Sequence, residues 1–237
     1  RQNEDLEAMT IKLESALKTK TDFLNVMTHE LYTPVNGIAI IIHNLKRAIG
    51  QDNFKHNLEL LEFSNNYLYR LLKNLIDAKS IENKSNLKLK PDAVELKTLV
   101  EKIAQTVFIF LKTSTNTFEY TIDARIPDPL QIDSVKLSQI LINLLNNADK
   151  YTAKGKVTLA VSLEEETEDK AKILFKVSDT GIGIEPAFFE HIFDKFQHGS
   201  KEIKEKYGGS GIGLYVVKEF LLLHDSTVTI DSNVGKG

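Results

Sequence analysis

The chain has 237 residues, of which 42% are hydrophobic and 27% are charged, and its formal net charge is −3. This composition is typical of a globular protein with room for two modest domains. The absence of cysteine excludes disulfides and thiolate zinc sites, and the slightly acidic balance gives no indication of a nucleic-acid partner.

The first third of the chain has the pattern of helices. Between residues 5 and 84, apolar side chains recur every three or four positions, with a polar, glycine-containing break at 49–53. This pattern predicts an α-helical hairpin. Because one hairpin has little core of its own, we expect two copies to form a dimeric four-helix bundle, entered by a coiled coil at 4–28.

The rest of the chain, after a polar linker at 80–93, mixes helices and strands. Periodicity predicts helices at 94–111, 134–152 and 210–224, strands at 117–123, 156–163, 172–180 and 226–231, and an acidic loop at 164–169. This order favours an α/β sandwich, in which one helical layer covers one mixed sheet.

A first candidate site lies on the helical part. On a helical wheel of about 100° per residue, His29 lies almost opposite the apolar arc of Met27 and Leu31, so we expect it to face solvent. Glu30 lies beside it and Thr33 follows one turn later. A carboxylate that takes or orients the Nδ1 proton leaves Nε2 free to act as a nucleophile.

An ordinary surface histidine is the competing interpretation of His29. Pro34 favours a functional one, because a proline inside a helix costs about 3 kcal/mol and bends the helix next to the imidazole.

The segment DTGIGI (179–184) follows an apolar strand. Gly181 and Gly183 would let the backbone approach a flat ligand, and Asp179 could accept a hydrogen bond from an exocyclic amine. These features predict one end of a nucleotide site.

The segment GGSGIGL (208–214) opens an apolar helix. Its glycines would place backbone N–H groups at the helix N-terminus, where they suit a phosphate. The segment is not a dinucleotide fingerprint, because Leu214 stands where the last glycine should be, and it is not a P-loop, because no Lys–Ser/Thr pair follows.

The helix at 134–152 carries polar side chains near its end. Asn143 and Asn147 are four residues apart and share a face with Lys150 and Tyr151 nearby. Amide oxygens suit Mg²⁺ that bridges phosphates, and a lysine can meet phosphate charge. A cluster of polar caps at a helix end is the alternative.

A charged segment at 188–209 separates the two glycine-rich segments. Phe193 and Phe196 could anchor it, which suggests a lid over the site. A plain solvated loop is the alternative.

Together these pieces resemble the catalytic core of sensor histidine kinases, with five conserved boxes of that family in the right order and spacing. The matching segments are FLNVMTHELYTPV for the H box, NLLNNADKYT for the N box, VSDTGIGI for G1, FDKFQ for F and GGSGIGL for G2.

The resemblance implies two domains. Residues 1–84 would form the coiled-coil lead-in and the dimerisation and histidine-phosphotransfer hairpin. Residues 85–237 would form an ATP-binding domain of the Bergerat (GHKL) type, whose last strand is expected to be missing here. The implied cofactors are ATP and Mg²⁺. The implied partners are a second copy of the chain and a response-regulator receiver domain, separate or fused, with a sensor domain outside this cytosolic fragment.

The resemblance also implies roles for single residues. His29 would be the phosphoacceptor, Glu30 its acid/base partner, and Thr33 would help orient water when the regulator is dephosphorylated. Asn147 would bind Mg²⁺ with Asn143 as its companion. Asp179 would read the adenine amine, and further positions would line the nucleotide: Lys150, Tyr151, Gly181, Gly183, Ile184, Phe193, Phe196, Gly209, Gly211, Gly213 and Leu214.

Two departures and two rival functions accompany the resemblance. Tyr32 stands where Arg or Lys is usual, and Asp149 is an uncommon charge next to the N box. An ATPase on the same fold is disfavoured, because its water-activating Glu would stand at Asn143, which is no general base. A dimeric pseudokinase scaffold is the non-enzymatic alternative, and the intact glycines, Asn147 and Asp179 disfavour it.

Overall fold

The computed structural model describes residues 9–10, 13, 21, 27–28, 31–42, 51–82, 88–111, 115–197 and 199–237. His29, Glu30 and most of the expected coiled coil lie outside these residues. Within the described part, no helix combines the length and apolar character needed to cross a bilayer.

Two helices make up the described part of the predicted hairpin. Helix α1 covers 31–42 and helix α2 covers Gln51–Glu82. They approach closely, because a Cβ built on Gly37 would lie 3.5 Å from Ser64 Oγ. Pro34 is buried within α1, but the bend expected beside His29 stays a prediction. The dimeric four-helix bundle likewise stays a prediction, since it needs a second chain.

The following part is an α/β domain. Its elements are β1 (Asp92–Val94), α3 (Leu96–Leu111), β2 (Thr117–Ile122), β3 (Leu130–Ile132), α4 (Ser134–Tyr151), β4 (Lys156–Glu166), β5 (Ala171–Asp179), a 3₁₀ turn (Pro186–Phe188), α5 (Lys201–Tyr207) and α6 (Gly213–Leu223).

The main sheet has the strand order β2-β4-β5, with β2 parallel to β4 and β4 antiparallel to β5. The predicted mixed sheet is therefore present. On β4, Val157, Leu159 and Val161 alternate with more exposed residues and are almost fully buried. They share one core with Leu141 and Leu145 of α4 and with α3, which is the helix-on-sheet packing expected of an α/β sandwich.

The structure corrects several predicted elements. The short strands β1 and β3, which pair with each other, and helix α5 were not expected. Strand β4 continues to Glu166, so the acidic loop is shorter than predicted. Helix α6 begins only at Gly213, because Gly209 and Gly211 have φ values of 116° and 65°, which a right-handed helix does not accept.

The predicted strand at 226–231 does not form, since this segment makes no ladder with β5. The chain beyond it closes a turn instead, where the Asn233 N–H donates to the Gly237 carbonyl. The Gly235 N–H donates to the Ile182 carbonyl, so the turn lies against the end of the DTGIGI segment.

A second core joins the helical part to the α/β domain. Ile81 of α2 is buried in one cluster with Ile140 of α4 and Val216 of α6. Beside this cluster, the Gln139 amide of α4 donates a hydrogen bond to the Asp77 carboxylate of α2. The two parts are therefore packed together through α2, α4 and α6.

Candidate functional site

Helix α4 positions the polar residues of the site, and Asp133 fixes its start. The Asp133 carboxylate, which is 3% exposed, accepts hydrogen bonds from the Lys136 and Lys90 backbone N–H groups, each at 2.9 Å. Lys136 Nζ adds an ion pair at 2.8 Å. Burial alone would raise the pKa of this carboxyl, but the bonds from Lys136 and Lys90 outweigh it and lower the pKa to about 2. The result is a charged N-cap that ties the linker to α4.

The polar face of α4 lies against the glycine-rich segment that precedes α6. Asn143 Nδ2 donates to the Gly213 carbonyl at 3.4 Å, and Lys150 Nζ donates to the Gly208 carbonyl at 2.8 Å. Asn147 lies one turn after Asn143 and is half-buried. The fold thus brings together the N-box and G2 residues that the sequence separates by about 60 positions.

Two glycines of this segment are required by the backbone conformation and packing of the chain. Gly211 has a left-handed φ, and a Cβ there would lie 2.7 Å from the Phe196 carbonyl carbon. A Cβ on Gly209 would lie 2.6 Å from Lys150 Nζ. Gly211 therefore permits close backbone packing, whereas Gly209 is required by its φ of 116°, which side chains rarely allow.

Gly213 differs from the other two. A Cβ there would meet only the Asn143 side chain, at 3.9 Å, which is an ordinary van der Waals contact. Internal packing therefore does not require glycine at this position. A methyl group would fit beside Asn143 here, and the first turn of a helix suits an anionic group.

The other end of the site is built around Asp179, at the end of β5. Asp179 Oδ1 accepts from the Gly181 N–H at 2.8 Å and from the Thr152 hydroxyl at 3.4 Å. The Ile182 N–H donates to the Tyr151 carbonyl at 3.1 Å. The G1 segment is thereby joined to the end of α4. Gly183 packs against the Asn233 backbone, which leaves no room for a Cβ. The close backbone contact that this glycine permits is therefore with another part of the chain.

The charged segment between the glycine motifs is anchored as its aromatic residues suggest. Phe193 and Phe196 are half-buried and pack against the cluster that contains Ile212 and Val216. The Phe196 N–H donates to the Gly211 carbonyl at 2.9 Å. The predicted contacts of these two phenylalanines with a nucleotide stay predictions.

Two residues of the site were missed by sequence reasoning. Thr152 is buried with its hydroxyl on Asp179, and its position directly after Tyr151 was the available signal. Tyr207, at the end of α5, packs its ring edge-on against Tyr151 with centroids 5.2 Å apart. An aromatic residue next to the glycine pair was the signal there.

The sequence of the α/β domain can be compared with known families on this basis. Residues 132–237 match the family described as histidine kinase-, DNA gyrase B-, and HSP90-like ATPase. Together with the relatives below, this match confirms the prediction of a histidine kinase ATP-binding core that was made from the order of the boxes.

Curated relatives match this histidine kinase core along nearly its whole length. The autoinducer 2 sensor kinase/phosphatase LuxQ of Vibrio vulnificus is 34% identical over 228 residues, which are 94% of this chain and 26% of that protein. The hybrid signal transduction histidine kinase L of Dictyostelium discoideum is 28% identical over 98% of this chain and 14% of its own length. The chain thus spans about a quarter or less of these relatives.

Among solved structures, full-length ShkA in complex with AMPPNP matches with a TM-score of 0.61. It is 21% identical, and the match covers 92% of this chain and 43% of that one. At this identity the likeness shows the fold alone, and together with the family match it confirms the predicted GHKL-type α/β domain.

Proposed function

We propose that this chain transfers the γ-phosphoryl group of ATP to His29 and then to an aspartate of a response-regulator receiver domain. The observation that carries the proposal is the contact of the α4 polar face with the glycine-rich segment, where Gly213 leaves space beside Asn143. The relatives named above, a sensor kinase/phosphatase and a hybrid histidine kinase, support it.

The nucleotide would lie between Asp179 and the first turn of α6. Asp179 Oδ1 already accepts two hydrogen bonds, so Oδ2 is the oxygen assigned to the adenine amine. Lys150 would exchange the Gly208 carbonyl for phosphate oxygen. The Asn147 amide oxygen would hold Mg²⁺, which screens phosphate charge when bound.

The transfer itself belongs to the imidazole of His29. Nε2 forms a bond to the γ-phosphorus while the bond from that phosphorus to the bridging oxygen breaks, and ADP leaves with the oxygen. Glu30 takes or orients the Nδ1 proton. In the second transfer, a carboxylate oxygen of the receiver aspartate attacks the phosphorus and the N–P bond breaks with its electron pair returning to Nε2. A proton that Glu30 has taken returns to Nδ1, and neutral histidine is restored.

Thr33 would serve a second activity, the dephosphorylation of the regulator by water. Its side chain is exposed on α1, four residues after His29 in the sequence, where we expect it to orient a water molecule toward a phosphorylated aspartate. We therefore include dephosphorylation of the regulator in the proposed function, with the histidine itself not required for hydrolysis.

A homodimer completes the proposal. Helix α2 leaves Phe54, Leu58, Leu72 and Ile76 between 42% and 55% exposed, and water contact with such a face is unfavourable. A second copy that pairs through this face would form the expected four-helix bundle. In the full-length protein, a sensor domain would act on this bundle, and the ATP domain would reach His29 from the cytosolic side.

The rival functions predict different biochemistry. A pseudokinase scaffold would form the dimer without labelling a histidine. An ATPase would release phosphate without retaining it, but Asn143 donates to Gly213 with its amide and has no basic group for water.

Labelling with γ-³²P-ATP and Mg²⁺ tests the proposal. The wild-type chain should acquire label that is labile in acid and stable in base, as phosphohistidine is, and His29→Gln should acquire none. Label with the opposite stability, or release of phosphate without any label, would contradict it.

A further inference from the structure

Asn116, the residue before β2, is bonded to the end of α4. Its Nδ2 lies 2.7 Å from Asp149 Oδ1, 2.9 Å from the Thr152 carbonyl and 3.1 Å from the Asp149 carbonyl, so its two hydrogens are shared among three acceptors. Its Oδ1 accepts from the Gly155 N–H at 2.9 Å. A helix ends with carbonyls that have no partner within the helix. One amide side chain therefore caps the C-terminal end of α4 and closes the turn from α4 to β4.

This helix cap also involves a charged side chain, the Asp149 carboxylate. An acidic side chain in the last turn faces the negative end of the helix dipole, which is unfavourable by about 0.3–1 kcal/mol. The short bond from Asn116 gives the carboxylate a donor and offsets this cost. Asn116 and Asp149 thus form a pair that accounts for the uncommon charge next to the N box.

The turn that Asn116 holds carries Thr152. The Thr152 side chain is buried, and its hydroxyl reaches Asp179 Oδ1 at 3.4 Å. On the opposite side, Thr180 Oγ1 accepts from the Lys156 N–H at 2.9 Å, and a Cβ on Gly155 would lie 2.6 Å from Thr152 Cγ2. The turn is clamped between Asn116 and Thr180, so the Thr152 hydroxyl has a fixed position relative to Asp179.

We propose that Asn116 is a positioning residue for recognition of the adenine amine, acting through Thr152 on the Asp179 carboxylate. With Oδ1 held by Thr152 and Gly181, Oδ2 is directed at the ligand. Loss of the Asn116 bonds releases the turn and lets the carboxylate rotate, so the amine of the base loses its acceptor. The inference rests on the proposed role of Asp179 in the nucleotide site.

The test compares two probes, ADP and the ADP analogue with purine in place of adenine, which lacks the 6-amino group. Isothermal titration calorimetry gives the ratio of the two affinities, so general damage to the site cancels. Asn116→Ala should lower this ratio about fivefold, the size expected for one lost hydrogen bond. Asp149→Asn keeps an acceptor for Asn116 and should retain the wild-type ratio.

A double mutant tests whether Asn116 acts through Thr152. Thr152→Val removes only the hydroxyl and should lower the ratio, and adding Asn116→Ala to it should lower the ratio no further, because the two residues act in series. If Asn116→Ala does not fold, Asp149→Ala takes its place, since it removes the shortest of the three bonds, and its effect should likewise vanish in the Thr152→Val background.

The outcomes separate the inference from the proposed function. The positioning role would be overturned if Asn116→Ala lost affinity equally for both probes. It would also be overturned if the affinity ratio of the double mutant fell below that of Thr152→Val. A wild-type chain that does not prefer ADP over the purine analogue, or whose preference survives Asp179→Ala, would overturn the assignment of Asp179.

Discussion

Asn143 of α4 is hydrogen-bonded to Gly213 of α6, with the asparagine Nδ2 3.4 Å from the glycine carbonyl oxygen. Gly213 is the glycine of its segment that internal packing does not require, whereas Gly211 has a left-handed φ of 65°. Glycine is therefore needed for different physical reasons at these two positions of one motif, and substituting each glycine in turn distinguishes the two reasons.

Gly213→Ala should leave the unfolding temperature unchanged or slightly higher, since alanine favours a helix over glycine by up to about 1 kcal/mol. Its methyl group should lower ATP affinity about tenfold, or about 1.4 kcal/mol. Gly211→Ala is the matched control and should lower stability by about 1–2 kcal/mol through its φ. Calorimetric titration and thermal unfolding measure both effects, and unchanged ATP affinity in Gly213→Ala would argue against a phosphate beside Asn143.

Ile81→Asp should separate the helical part from the ATP domain. The Ile81 side chain is 4% exposed in the cluster with Ile140 and Val216, and an unpaired charge there costs several kcal/mol. Hydrogen exchange should become faster in α6, while ATP affinity stays within about twofold because the site does not include Ile81. Unchanged exchange in α6 would mean that the packing of α2 on α6 contributes little.

Ile76→Asp tests the opposite face of α2. Ile76 is 55% exposed, so the charge should not disturb the packing of α2 on the ATP domain. It should weaken the proposed homodimer, because the charge enters the apolar face that the second copy covers. Sedimentation equilibrium should show a dimer for the wild type and a larger monomer fraction for the variant; equal dimer fractions would place the dimer contact elsewhere.

Asp133 should make stability depend on acid pH. Its pKa is lowered to about 2 from 3.8, so its stabilisation is fully present above about pH 4 and is lost as the pH falls through about 2. The shift corresponds to roughly 2 kcal/mol. Asp133→Asn retains an N-cap side chain without the charge.

Urea unfolding of both chains measures this difference. The free energy of unfolding of the wild type should exceed that of Asp133→Asn by roughly 2 kcal/mol at pH 5. This difference should be smaller at pH 3. An excess that does not change between these pH values would show that the carboxylate is not linked to folding.

Long, strongly patterned elements could be predicted from the sequence. The apolar spacing of α4 and the alternation of β4 each reflect one buried face, which is a local property of the chain. Strands β1 and β3 have three residues each, too few for a period. Helix α5 has little apolar periodicity to reveal it.

The site residues proposed from the sequence all stand in motifs, whereas contacts that depend on the fold were missed. Asn143, Lys150 and the glycines stand in recognisable segments. Asn116 reaches Asp149 across 33 positions, and only the parallel pairing of β2 with β4 brings it there. The predicted strand at 226–231 failed because alternation predicts a strand without saying which edge it pairs with.

The most direct test of the central claim measures ATP affinity and phosphate labelling on the same preparation of His29→Gln. The account predicts affinity equal to that of the wild type, because His29 lies outside the ATP domain, together with complete loss of acid-labile label. Thr33→Ala, four positions further along the sequence, is the matched control and should retain the label. Acid-labile label on His29→Gln would contradict the account, since the phosphoacceptor would then be another residue.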